Sequence, residues 1–371
     1  MAGFLENIED HRERELAAAL ALISLPGVGP SRLKIWKSRY GSLAGLWEKK
    51  HIPDIQRFLN QPAQAEAEVQ AIKELQFIHR FNIGFCLWGE DSYPQRLRRC
   101  TDAPFILFHK GKAPLEQEKH LAIVGTRSAT EKARYFTEEL IGALSVFKPL
   151  IISGLALGID TAAHRAALKV GLDTAAVVGH GMDTLYPAAN RRLAADIVGQ
   201  GYLLTEFPSG TGPDKQNFPR RNRIIAGLCD ALVVVETGEQ GGAMITARLA
   251  HSYDREIFAV PGRPWEPQAS GCNLLIKSQI AQLITCPEDL IAALEWDRLF
   301  VKEHTERTAF HINLSQEEQE IVELLQARSP LHVEELGLKC RQSPAVLAST
   351  LLGLEINGII RALPGRQYEL A

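Results

Sequence analysis

The chain has 371 residues, 46% of them apolar and 23% charged, and a formal net charge of −3. Such a length predicts two or three domains with material for a core, and the near-neutral balance excludes a chain that is basic throughout, so any nucleic-acid site must be a local basic groove. The acidic start MAGFLENIEDHRERE lacks the apolar stretch of a signal peptide, no apolar run approaches a membrane span, and the cysteines are scattered without a CxxC pair, which together predict a cytoplasmic protein with reduced thiols and no membrane partner.

Residues 1–82 read as helical. ELAAALALISL places Leu16, Leu20 and Ile23 on one face at helical spacing. The pattern breaks at Pro26-Gly27-Val28-Gly29-Pro30 and resumes at RLKIWKSRY, with Ser31 as the expected N-cap. A further helical stretch covers QAEAEVQAIKELQFIHRF.

Residues 83–298 alternate apolar strands with helical patterns. Strands are predicted at 121–126, 149–155, 174–180, 201–207, 231–237 and 256–262, and helices at about 131–147, 160–170, 190–199, 219–228 and 243–253. Near-continuous apolar strands separated by helices describe a parallel sheet covered on both faces. Glycines directly after several strands put turns at strand C-terminal ends, where sheets of this kind bind ligands. Residues 299–313 are polar and aperiodic and read as a linker. Residues 314–371 hold three helical patterns and a hairpin turning at Pro364-Gly365, the make-up of a winged helix. Its expected recognition helix, SPAVLASTLLGLEING, contains no Arg or Lys, which points to a protein-contact or structural role.

Several constellations could carry chemistry. LPGVGP at 25–30 has the helix–hairpin–helix pattern, whose turn offers N–H groups to a phosphate; a plain inter-helix turn is the alternative. In IVGTRSAT at 123–130, Gly125 allows a tight turn, Thr126 and Ser128 bring hydroxyls, and Arg127 a phosphate-pairing fork. SGLALGIDTAAHRAAL at 153–168 repeats the design: Ser153-Gly154 and Gly158 open a loop, and Asp160 or Thr161 caps the next helix. Gly179-His180-Gly181 begins like a dinucleotide fingerprint, but Thr184 replaces the third glycine and Tyr186-Pro187 interrupts the required helix, so no NAD or FAD is expected. What remains there is a basic helix entrance at Asn190-Arg191-Arg192.

The segment DKQNFPRRNRIIAGL sets Lys215, Arg220, Arg221 and Arg223 around Phe218, Pro219 and Asn222, a combination of phosphate-neutralising bases and a stacking ring that suits single strands. In ETGEQGGAMITARLA, Gly241-Gly242 and Thr246 form a third glycine loop opening onto a helix. A nucleotide hydrolase using it would need a carboxylate on the following helix, and that helix has none, although Glu236 and Glu239 precede the turn. No nucleophile–base pair and no metal-ligand spacing is visible. The residues thus offer no catalytic set, metal site or cofactor fingerprint, with an enzyme still open through Glu236 and Glu239, and they predict that three glycine turns and an arginine cluster meet at one rim of the sheet.

Read in order, GTR at 125–127, SGLALGID at 153–160, YPAAN at 186–190, FPRRNRIIAGL at 218–228, ITARLA at 245–250, AVPG at 259–262 and SGCNLLI at 270–276 resemble the signature of the DNA-processing protein A (DprA/Smf) family, over roughly residues 93–290. The resemblance implies an α/β fold: an extended Rossmann-like sheet flanked by an N-terminal helical, sterile-alpha-motif-like domain and a C-terminal winged helix. It implies a homodimer that is not an enzyme but binds single-stranded DNA, helps load RecA and protects incoming DNA in natural transformation. Carried onto this chain, the DNA pocket falls at Gly125, Thr126, Arg127, Ser153, Gly154, Gly158, Ile159, Asp160, Arg220, Arg221, Asn222 and Arg223, and the basic helix entrance adds Arg191. Two departures stand out: Gly241-Gly242-Ala243 replaces the family's Ser-rich turn, and Gln279-Ile280 replaces its Gly-Ala. The alternative reading is a Rossmann-like nucleotide phosphoribohydrolase or nucleotide-ligand sensor.

Overall fold

A computed structural model describes residues 4–49, 52–59, 64–112, 115, 117–296, 315–340, 342–357, 359–363 and 366–370. The chain forms two compact units, Met1–Leu294 and Glu295–Ala371. The expected linker, 299–313, and the Pro364-Gly365 turn lie outside the described residues.

The first unit opens with α1 (His11–Ser24), α2 (Pro30–Tyr40), α3 (Leu43–Glu48), α4 (Pro53–Leu59) and α5 (Gln64–Phe81). Asp10 caps α1 by accepting from the Arg12 N–H at 3.3 Å. Leu16 and Leu20 are buried as their spacing predicts, but so are Ala17, Ala18, Ala19, Ala21 and Leu22, so α1 is buried on most sides. Glu15 is buried too: its carboxylate takes Lys37 Nζ at 2.8 Å and the N–H groups of Leu43 and Ala44 at 3.1 and 3.2 Å, neutralising the start of α3. The expected N-cap of α2 is corrected. Gly29 is the cap and Pro30 the first helical residue, because a proline has no N–H to leave orphaned there; Ser31 lies inside the helix.

A nine-stranded sheet follows. Its strands are β1 (Gly84–Leu87), β2 (Ile106–Gly111), β3 (His120–Gly125), β4 (Leu150–Ser153), β5 (Thr174–Val177), β6 (Tyr202–Thr205), β7 (Ala231–Val235), β8 (Glu256–Ala259) and β9 (Gln282–Leu283). Around them run α6 (Gln95–Arg98), α7 (Glu131–Leu144), α8 (Ile159–Lys169), α9 (Arg191–Gln200), α10 (Asn217–Leu228), α11 (Gly242–Ser252), α12 (Ser270–Lys277) and α13 (Pro287–Ala293). The order is β1-β2-β6-β5-β4-β3-β7-β8-β9. Strands β3 to β9 form the expected parallel sheet, and β2, antiparallel to β6, and β1, antiparallel to β2, extend it with two strands outside the predicted set. At the other edge β9 follows β8 through α12 and is only two exposed residues.

The chain steps outward from β3 to β6 and then returns to lay β7 on the other side of β3. That reversal opens a crevice beyond the C-terminal ends of β3 and β7, the place where a doubly wound sheet receives ligands. Ile123, Val124, Ile151, Ile152, Val233 and Val234 are buried on these central strands, each contributing about 1.5–3 kcal/mol by burial. The framework under the crevice is rigid for that reason.

The second unit comprises α14 (Gln316–Ala327), β10 (Leu331–His332), α15 (Val333–Cys340), α16 (Pro344–Ile356), β11 (Ile360–Leu363) and β12 (Gln367–Leu370). Ser315 and Glu318 form a capping box on α14, and the strands pair in the order β10-β12-β11. This is a winged helix.

Candidate nucleic-acid interface

A cleft of about 670 Å³ opens at the crevice. It is walled by Gly125, Thr126 and Arg127 after β3, by Ala156 and Asp160 after β4, and by Thr237, Gly238, Gly241 and Gly242 after β7. The three glycine turns predicted to converge do so. Thr126 N–H donates to the Glu236 carbonyl at 2.7 Å and Ile159 N–H to the Thr126 carbonyl at 3.2 Å, tying the loops to one another. Gly158 sits at φ +83°, and a Cβ there would run into the Thr126 and Arg127 backbone, so this junction needs glycine. The first turns of α8 and α11 face the cleft and bring the positive ends of their dipoles with them.

Arg127 is exposed, and its guanidinium carbon lies 5.3 Å from the Phe218 ring centroid. Phe218 also meets Tyr186, with centroids 5.7 Å apart, and Tyr186, which lines the cleft, is 44% exposed. Lys215 adds a second exposed cation to the wall. The cleft thus pairs fixed backbone donors and two cations with open aromatic faces.

Other predicted residues support the site from beneath. Ser153 is fully buried and its hydroxyl donates to the Ile123 carbonyl at 2.6 Å. Ile159 is fully buried. Asp160 accepts from the Gly154 and Ala156 N–H groups at 3.1 and 3.3 Å, which fixes the second loop. Burial pushes the Asp160 carboxyl up, opposed by the charge of Arg221. Arg221 is 5% exposed; it donates to the Val177 carbonyl and packs so closely over Gly154 that a Cβ would overlap its guanidinium. Burial brings Arg221 down to about 10, and its Nε has no protein partner. This arginine edges the cleft floor with its charge only partly compensated.

The arginine cluster does not share one face. Arg221 and Asn222 line the cleft, and Asn222 reaches the Gly242 carbonyl at 3.5 Å. Arg220 and Arg223 turn to the other side of α10, as a helical step of about 100° per residue requires. Arg223 is 12% exposed, pairs with the Glu206 carboxylate at 2.5 Å and donates to the Asp102 carbonyl. Arg220 lies 3.7 Å from Glu206, its guanidinium carbon 5.0 Å from the Phe207 ring centroid. The expected single trough joining Arg127 to Arg223 is therefore corrected to a cleft holding Arg127 and Arg221, with Arg220 and Arg223 bound to Glu206 behind it. Arg191 is exposed at the start of α9, outside the cleft wall. Lys215, Tyr186 and Thr246 line the cleft without standing among the expected DNA-binding residues, although each is visible in the quoted motifs, as a base, an aromatic and the hydroxyl of the third glycine loop.

Among the described residues no group of three His, Cys, Asp or Glu side chains could hold a metal, and no helix is long and apolar enough to cross a membrane.

Comparison with known proteins follows the same outline. The family model for DNA recombination-mediator protein A matches residues 84–295, and that for the DprA winged helix domain matches residues 306–366. DNA processing protein DprA of Streptococcus pneumoniae is 42% identical over 208 residues, 56% of this chain and 73% of that protein. Protein Smf of Escherichia coli is 36% identical over 287 residues, 76% of this chain and 75% of that one. The solved structure of the Streptococcus pneumoniae protein superposes with a TM-score of 0.62 at 32% identity, covering 76% of this chain and 97% of that chain. That of DNA processing protein A from Helicobacter pylori, described for its single-stranded DNA binding mode, gives 0.53 at 29% identity, covering 58% and 96%.

Proposed function

Because this chain belongs to the DNA-processing protein A (DprA/Smf) family, we propose that its cleft binds single-stranded DNA and that the protein serves DNA processing in natural transformation, protecting incoming strands and helping to load RecA. The observation that carries this reading is the combination at one cleft of Arg127 over Phe218, the open ring of Tyr186 and the N-terminal turns of α8 and α11. Backbone donors and cations hold phosphates whatever the sequence, and the rings accept any base. The same reading assigns residues 1–82, 83–298 and 314–371 as three functional modules joined by a 299–313 linker, and makes the protein a cytoplasmic homodimer.

A non-enzymatic role is supported by Asp160, the one carboxylate on the cleft wall among the described residues. Asp160 is buried and committed to two backbone N–H groups, which leaves it badly placed to activate water. Anisotropy titration of a labelled oligonucleotide of about twenty nucleotides against its duplex, between about 50 and 200 mM salt, tests the proposal. Tighter binding of the single strand with a falling log K–log salt line is expected. Equal or stronger binding of the duplex, or release of free base from nucleoside monophosphates, would move the assignment to a different class.

A further inference from the structure

A second basic surface lies beside the cleft. Helices α8 and α9 border a groove of about 800 Å³ carrying Arg165, Lys169 and Arg192 against a single acid, Asp196. Arg165 and Lys169 stand four residues apart on α8 and so share a face. All three cations are exposed, and among the described residues none has a side-chain hydrogen bond or ion pair. Small residues keep the groove open: Ala189 and Gly199 line it, and a Cβ at Gly199 would meet empty space.

The groove adjoins the cleft. Tyr186 belongs to the cleft wall and Ala189 to the groove, and three residues span at most about 11 Å. Asn190 fastens the junction by donating to the Leu155 carbonyl at 2.8 Å and to the Thr161 hydroxyl at 2.9 Å, which binds the start of α9 to the loop after β4. The groove therefore keeps a fixed place relative to the cleft instead of moving with a free helix.

We propose that the α8–α9 groove is an exit track for the phosphate backbone of the strand held in the cleft. The inference rests on the cleft being a single-strand site, and it adds a length dependence to that reading. Arg165, Lys169 and Arg192 supply charge without any aromatic partner in the groove, so they hold phosphates rather than bases. A strand short enough to fill only the cleft does not feel them, whereas a longer strand does.

The test uses the full chain and two oligothymidylates, of about six and about twenty-five nucleotides, titrated across salt. The triple variant Arg165→Ala/Lys169→Ala/Arg192→Ala is compared with wild type; its circular dichroism and its affinity for the short strand serve as controls for folding. Three lost phosphate contacts at about 0.7 each flatten the log K–log salt slope for the long strand by about 2 and leave the short strand unchanged. Should both strands bind and the long-strand slope stay at its wild-type value, the exit track is wrong while the cleft stands. A wild-type protein that binds neither strand removes the cleft and the track together.

Discussion

The division of the arginine cluster gives the most discriminating expectation. Arg127 is exposed over Phe218, and if it holds one phosphate as proposed, replacing it with Ala removes that contact and no buried partner. For a single strand this lowers the log K–log salt slope by about 0.7, with little change in stability. Arg223 behaves oppositely. Its side chain is 12% exposed and faces a Glu206 carboxylate that is 5% exposed, with Arg220 next nearest at 3.7 Å. Burial already pushes the Glu206 carboxyl up against the attraction of Arg223 and Arg220, and its other oxygen has no protein partner. Arg223→Ala strands that carboxylate and costs about 3–5 kcal/mol of stability. The double variant Arg223→Met/Glu206→Gln recovers most of the loss, because the uncompensated charge is gone. Urea unfolding followed by circular dichroism reads the stabilities, and anisotropy across salt reads the slopes. An Arg223→Ala protein of wild-type stability whose slope flattens as much as that of Arg127→Ala would refute the assignment of the two faces.

Other outcomes follow from the same geometry. Phe218→Leu is expected to weaken single-strand binding by about 1–3 kcal/mol at unchanged salt slope, read by anisotropy, since stacking and phosphate neutralisation are separate contributions. His164 is fully buried, and burial brings it down to about 3, so it stays neutral in the native state while the unfolded chain takes up a proton below its ordinary 6.5. Stability is therefore lost as pH falls from 6.5 towards 3, by up to about 1.4 kcal/mol per pH unit. His164→Gln should shallow that slope in urea titrations between these limits, and an unaltered slope would count against it. The isolated winged helix should not bind duplex DNA in a gel-shift assay: α16 has no Lys or Arg, Arg361 is paired with Glu369, and Arg328 and Lys339 both meet Glu335, so among the described residues Arg366 alone is an exposed cation without an ion pair.

Much of this architecture was legible in the sequence, for identifiable reasons. The parallel strands are short apolar runs ending at glycine, and burial on both faces leaves such a run no polar alternation to confuse it. The turns at Gly125, Gly158 and Gly241 were readable because each needs either close backbone approach or a helix start. The antiparallel edge was not: GFCL and ILFHKG lie outside any strand–helix–strand rhythm, and pairing across the sheet from residue 108 to residue 205 is invisible locally. Within the site the difficulty was direction. Four consecutive residues from Arg220 to Arg223 look like one charge, yet on a helix they cannot all point the same way. Ser153 and Ile159 sit in the right loop and face inward, because a strand end and a helix start each turn one residue into the core.

The dependence of the cleft on loops after β3, β4 and β7 has a practical corollary. Its walls come from stretches more than a hundred residues apart, and Gly158, Thr126 and Glu236 lock them in mutual register. No excised peptide, whatever its charge, can reproduce the recess, and a half-assembled chain has none to offer. On the proposed reading, ligand capture doubles as a readout of completed assembly: a polypeptide emerging from synthesis is expected to stay blind to single-stranded DNA until β7 has slotted in beside β3.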